Sequence, residues 1–285
     1  MEQKYINLFD EFTHTGMGRR VFIERLTKLA GSTAAAMALL PVLENNYTNA
    51  ETIKQSDPKL VTETILYHGA KARVSAYKAK LKDSSKLPGV IVIHENRGLN
   101  PYIEDVARRV AMEGFFALAP DALSPMGGTP EDSDKAREMI GKLDPELTLQ
   151  NFLKAVDFLR NNDECTGNVG CVGFCWGGSM ANKLAVNSPE LKAAVAYYGG
   201  QPKSEDVPKI KAHLLLHYAG LDERIDKGIP EFKKALDEAK INYEMYMYEG
   251  VNHAFNNDTN TARYNEEAAK LAWSRTIKFL KSNLL

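Results

Sequence analysis

The stretch Asn168-Val169-Gly170-Cys171-Val172-Gly173-Phe174-Cys175-Trp176-Gly177-Gly178-Ser179-Met180-Ala181 reads as a short buried strand, a sharp turn and a helix. The strand runs from Val169 to Phe174, the turn falls at Cys175, and the helix opens at Trp176 or Gly177. Gly-x-Cys-x-Gly-Gly is the nucleophile-elbow pattern with cysteine in place of the commoner serine. A strand that turns abruptly into a helix leaves no room for a neighbouring Cβ, which accounts for Gly173 and Gly177 on either side of the sulfur. The same turn aims the free N–H groups of the helix start at one spot, where they stabilise a thiolate or an oxyanion.

Working outward from the elbow, the chain alternates strands and helices. Val90-Ile91-Val92-Ile93 is a continuous β-branched run, as expected of a strand buried on both faces of a parallel sheet. It empties into His94-Glu95-Asn96-Arg97-Gly98-Leu99-Asn100, and a helix is expected from Pro101 to Glu113. Gly114 to Ala119 reads as the next buried strand, ended by Pro120-Asp121. Helices are expected over Pro130 to Leu143 and Pro145 to Asn161, with Thr129 and Asp144 as N-caps and proline in the first turn. Upstream, Val61 to Tyr67 and Arg73 to Ala79 alternate around a turn at His68-Gly69-Ala70-Lys71, a β-hairpin pattern. This order predicts an α/β fold with a mostly parallel central sheet and helices on both faces.

Downstream, Lys192 to Tyr198, Ala212 to Tyr218 and Asn242 to Tyr248 read as strands, and a final amphipathic helix spans Thr261 to Ser282. Asp222 follows one late strand and His253 follows the next. Loops at the C-terminal ends of parallel strands are where α/β sheets place their ligands. Nucleophile, acid, base is the chain order of α/β-hydrolase triads, so Cys175, Asp222 and His253 are the candidate catalytic residues. By position, Glu95 and Asn96 are candidates for the same site.

These motifs resemble the dienelactone hydrolase family within the α/β-hydrolase fold, from about Leu60 to the C-terminus. The resemblance rests on Gly173 to Gly178, the strand leading to His94 through Asn100, Ala119-Pro120-Asp121, Asp222 to Ile225, and Gly250-x-x-His253-Ala254-Phe255. It implies a Cys175–His253–Asp222 triad, Glu95 as the acid that holds the resting thiol, and the backbone N–H groups of Trp176 and Asn96 as the oxyanion hole. The activity it implies is hydrolysis of a small lactone or ester through an acyl-cysteine, without cofactor or metal. The arginines that hold the substrate carboxylate in the enzyme that named the family have no counterpart in Ala122-Leu123-Ser124-Pro125 or Ala254-Phe255-Asn256-Asn257. A substrate lacking that carboxylate is therefore as well supported, and a thioesterase or general carboxylesterase is the alternative. A non-catalytic binding domain would have no need for all three triad members.

Residues 1–50 stand apart from the expected catalytic domain, residues 51–285. Gly18-Arg19-Arg20-Val21-Phe22-Ile23 resembles a twin-arginine export signal, and an alanine- and leucine-rich run follows from Leu26 to Leu43. Thr48-Asn49-Ala50 offers a cleavage point, which would make the mature protein extracytoplasmic; without use of the signal it is cytoplasmic. Lys28 within the run argues against a membrane span. An amphipathic helix retained on its own domain is the other reading. A net charge of −1 gives no electrostatic footprint for nucleic acid. Three cysteines without a Cys-x-x-Cys pair indicate neither a disulfide scaffold nor a metal site.

Overall fold

The computed structural model describes residues 1–47 and 51–285. One eight-stranded sheet has the order β1-β2-β4-β3-β5-β6-β7-β8. Strands β1 (Leu60–His68) and β2 (Arg73–Leu81) form the expected antiparallel hairpin, and β2 pairs antiparallel with β4 (Phe116–Pro120). From β4 onward, through β3 (Leu87–Ile93), β5 (Cys165–Phe174), β6 (Ala193–Tyr197), β7 (His213–Ala219) and β8 (Tyr243–Tyr248), all pairings are parallel. Parallel strands need crossovers that cover both sheet faces, so β3 and β5 are buried on each side. Two separate apolar clusters result, one per face.

The N-terminal residues form three helices: α1 (Gln3–His14), α2 (Arg19–Ala30) and α3 (Thr33–Leu43). Their apolar faces meet one another around Phe9, Phe12, Phe22, Leu26 and Leu40, a third cluster distinct from those of the sheet. No single described helix is long and apolar enough to cross a membrane, and α2 and α3 are bent by 115° at their junction. The cleavage point expected at Thr48-Asn49-Ala50 lies outside the described residues.

The remaining helices are α4 (Pro101–Met112), α5 (Ser133–Ile140), α6 (Pro145–Arg160), α7 (Trp176–Asn187), the single-turn α8 (Glu223–Asp226), α9 (Ile229–Glu238) and α10 (Glu266–Leu284). Asp144 caps α6 as expected, through Leu147 N–H. Helix α5 begins later than expected, with Asp132 as its cap. Thr129 is instead committed to the loop: its hydroxyl donates to Asp121 and accepts from Leu99 N–H. The start of α10 is likewise delayed, because Asn260 holds the backbone of Leu43 before Asn265 caps the helix.

Candidate active site

The elbow is tighter than the glycine pattern alone requires. Cys175 sits at φ 56°, ψ −113°, a region that L-residues avoid, and its N–H donates to Tyr197 O at 3.0 Å. A Cβ on Gly173 would lie 2.0 Å from Gly177 O, one on Gly177 2.3 Å from Ile93 O, and one on Gly178 2.5 Å from Tyr197 O. Strands β3, β5 and β6 and helix α7 thus meet backbone to backbone beneath the sulfur. Trp176 is the first residue of α7, so its N–H has no intrahelical acceptor.

The other two triad candidates converge on this point. Asp222 follows β7 and does two jobs: Oδ1 caps α8 through Ile225 N–H at 3.3 Å, and Oδ2 accepts from His253 Nδ1 in a short bond. His253 follows β8 and is only 2% exposed. Burial opposes its charge, but the Asp222 carboxylate and Cys175 outweigh that and raise its pKa to about 10. Asp222 is itself held below the usual range: burial works against this, and the charge of His253 prevails. Because Nδ1 is committed to Asp222, Nε2 is the free nitrogen, buried and without a hydrogen-bond partner. Ligand atoms of His14, Cys175 and His253 all lie within 4.8 Å of one another, the one such grouping among the described residues that could hold a metal ion.

The loop after β3 is fixed by His94. Its Nδ1 meets Glu95 O at 2.6 Å, and Nε2 accepts from Ala122 N–H at 3.2 Å, which defines a neutral tautomer. The ring stacks on Trp176 at 5.2 Å between centroids. Glu95 is buried, and its carboxyl is pushed upward by that burial. Oε2 accepts from Asn257 Nδ2 at 2.7 Å and Oε1 has no partner. The thiol-holding contact expected of Glu95 is therefore not made. The sulfur's partner is His14, whose Nε2 lies 3.3 Å from Sγ. The side chain of Asn96 donates to Thr13 O at 2.8 Å, so this loop is tied to α1.

His14 and Arg224 are the site residues that sequence reasoning passed over. Apolar residues at 5, 6, 9 and 12 have the spacing of an amphipathic helix that ends on His14, and this is the signal that marks α1. The Arg224 guanidinium lies 3.4 Å from His253 Nδ1 and 3.9 Å from Asp222 Oδ1. A cavity of about 720 Å³ opens beside Cys175, walled on one side by residues 13–18 and on the other by Trp176, Tyr198 and Arg224. Cys165 and Cys171 are buried, free and pushed up to about 12 by that burial, which leaves them inert at neutral pH.

Known proteins share this arrangement of strands and loops. The profile of the dienelactone hydrolase family matches residues 74–284. A provisionally named carboxymethylenebutenolidase of Saccharolobus solfataricus is 32% identical over 255 residues, covering 76% of this chain and 97% of that one. A provisionally named 2-oxo-3-(5-oxofuran-2-ylidene)propanoate lactonase of Bradyrhizobium is 32% identical over 223 residues, 73% of this chain and 89% of that one. The crystal structure of a provisionally named dienelactone hydrolase from Klebsiella pneumoniae superposes with a TM-score of 0.71 at 28% identity, covering 78% of this chain and 98% of that one. With an α/β sheet of this topology and a profile match across most of its length, the chain belongs to the dienelactone hydrolase family of ester and lactone hydrolases.

Proposed function

We propose that the protein hydrolyses a small lactone or carboxylic ester through an acyl-cysteine at Cys175. The observation that carries this reading is one nucleophile on a strained elbow facing the free nitrogen of an Asp222-oriented imidazole. A free thiol is only a few per cent ionised at neutral pH. The Asp222 and Cys175 charges that raise His253 favour its imidazolium, so the Sγ proton passes to Nε2 and the thiolate attacks the carbonyl carbon. The carbonyl π electrons move onto oxygen, where the Trp176 and Asn96 N–H groups are the proposed donors. The tetrahedral intermediate collapses, the C–O bond to the leaving alkoxide breaks, and His253 returns the proton to that oxygen. Water then attacks the thioester with His253 as base, releasing acid and thiol. Replacing Cys175 by Ala removes turnover in an ester and lactone screen; turnover kept in that variant contradicts the nucleophile assignment.

The cavity also bears on the substrate. The names of the Bradyrhizobium and Saccharolobus relatives describe lactones with an acid group. The two segments without arginine leave no partner there, but Arg224 places a half-exposed guanidinium in the cavity wall beside His253. This supports an anionic ester or lactone whose carboxylate faces α8.

A further inference from the structure

His14 is the one ionisable group on the N-terminal helices that reaches the sulfur. Its Nδ1 lies 2.8 Å from Asp10 O and 3.1 Å from Thr13 Oγ1. A carbonyl oxygen can only accept, so Nδ1 carries the hydrogen and Nε2 presents a bare lone pair to Sγ. Burial, reinforced by the nearby charges of His253 and Arg224, holds this imidazole well below 6.5, so the ring is neutral. A bare nitrogen accepts from S–H but meets a thiolate lone pair to lone pair, and so favours the protonated sulfur. His253, edge-on to His14 with 4.5 Å between ring centroids, favours the opposite state.

The segment that carries His14 is anchored to the catalytic domain at several independent points. Arg263 Nη1 meets Asp10 Oδ1 at 2.8 Å, Arg137 donates to Phe12 O at 2.6 Å and lies over the Phe12 ring, and Asn260 donates to Leu43 O at 2.6 Å. Arg19, the first of the twin arginines, bridges Asp134 and Glu44 at 2.6 and 2.8 Å. From the domain, Ala262 packs against the three-helix apolar cluster, and the ties across the seam named above are polar or charged. That is the composition of an interface able to open and close as a unit.

We propose that His14 is a positioning residue of the active site: it holds the proton on the Cys175 sulfur at rest, and its imidazole must turn aside before His253 takes that proton for attack on the carbonyl. The inference rests on Cys175 as nucleophile, and it makes α1–α3 a working part of the enzyme. The other ionisable groups around the sulfur are His253 and Asp222 from the late loops, Glu95 and Arg97 from the loop after β3, Tyr198 just after β6, Arg263 beside the loop that holds His253, and Arg224, Arg137, Glu138 and Lys142 from the cavity wall.

The test is iodoacetamide alkylation of Cys175 against pH, in EDTA, for the full-length wild type, His14→Ala and His14→Phe. Phenylalanine keeps the ring volume and removes the lone pair, so access and protonation separate. The proposal expects the alkylation midpoint to fall by about one pH unit in both variants, a tenfold gain in thiolate below the midpoint. An unchanged midpoint with a faster plateau in His14→Ala alone reduces His14 to a steric cover and overturns the proposal. A midpoint that rises makes His14 an activating base and overturns it equally. Circular dichroism identifies a variant that has failed to fold, in which case its companion decides. The readout needs no substrate, so ester turnover retained in Cys175→Ala would sink the hydrolase reading while leaving this result interpretable.

Discussion

At φ 56° and ψ −113°, Cys175 holds a backbone that costs on the order of 1–3 kcal/mol and persists because three strands and a helix close on it. That investment fixes the sulfur against the imidazole, so the proton route depends on single atoms. Asp222→Asn keeps the shape of the pair but can present N–H to His253 Nδ1, forcing the wrong tautomer. We expect kcat to fall by roughly 10³–10⁴ with little change in melting temperature, measured on a neutral ester. Arg224→Gln should raise KM about tenfold for a carboxylate-bearing ester and leave a neutral ester of equal size unchanged, matching the ~1.5 kcal/mol of a charge-assisted bond. Equal effects on both esters would show that Arg224 serves the triad rather than the substrate. The elbow glycines, Asp222 and His253 were legible because each stands at a strand end in a known order. That Glu95 would miss the sulfur was not, because Asn257 holds its carboxylate and His14 takes its place, 162 and 81 positions away in sequence.

Among the elements, the parallel strands were the most readable: the Val90–Ile93 run can hardly be anything but a doubly buried strand. Element ends were less so. Proline at 130 suggested a helix start, but Thr129 satisfies Asp121 and Leu99 and postpones α5 by three residues. The N-terminal helices show the deeper limit. An alanine- and leucine-rich run after paired arginines has the same composition in an export leader and in α2–α3, whose buried apolar residues pack on one another and on α1. Two substitutions separate the layers energetically. Phe22→Ala opens a cavity in the three-helix cluster and should cost that unit ~3–5 kcal/mol, seen as faster hydrogen exchange in α1–α3 with β3 and β5 still protected. Gly173→Ala, whose Cβ meets backbone rather than a yielding side chain, should abolish soluble folded protein. Loss of protection in β3 and β5 in the Phe22 variant would mean that the two layers fold as one.

For the whole molecule, buried histidines set the pH range of stability. His14, His94 and His217 are held low by burial, His217 to about 3, so the folded chain refuses protons that the unfolded chain takes up below ~6.5. Each contributes up to ~1.4 kcal/mol of destabilisation per pH unit on the acid side. His253 acts in the other direction: its stabilisation is complete below ~6.5 and is lost as pH rises toward about 10. Denaturant unfolding against pH should therefore peak near neutrality, and His217→Gln should flatten the acid limb. A monotonic rise from pH 5 to 9 would contradict this balance. Export remains a proposal from Arg19-Arg20, but cleavage near residue 50 would discard His14 and one cavity wall. Active native protein is thus expected to retain the peptide that contains His14, which peptide mass spectrometry reads. The central claim is an acyl group carried on one sulfur. Acid quenching of His253→Ala during reaction with an activated ester, followed by peptide mass spectrometry, measures it directly. The account predicts an acyl adduct on the peptide containing Cys175 and on neither Cys165 nor Cys171; turnover by the wild type with no adduct on Cys175 in either protein would contradict it.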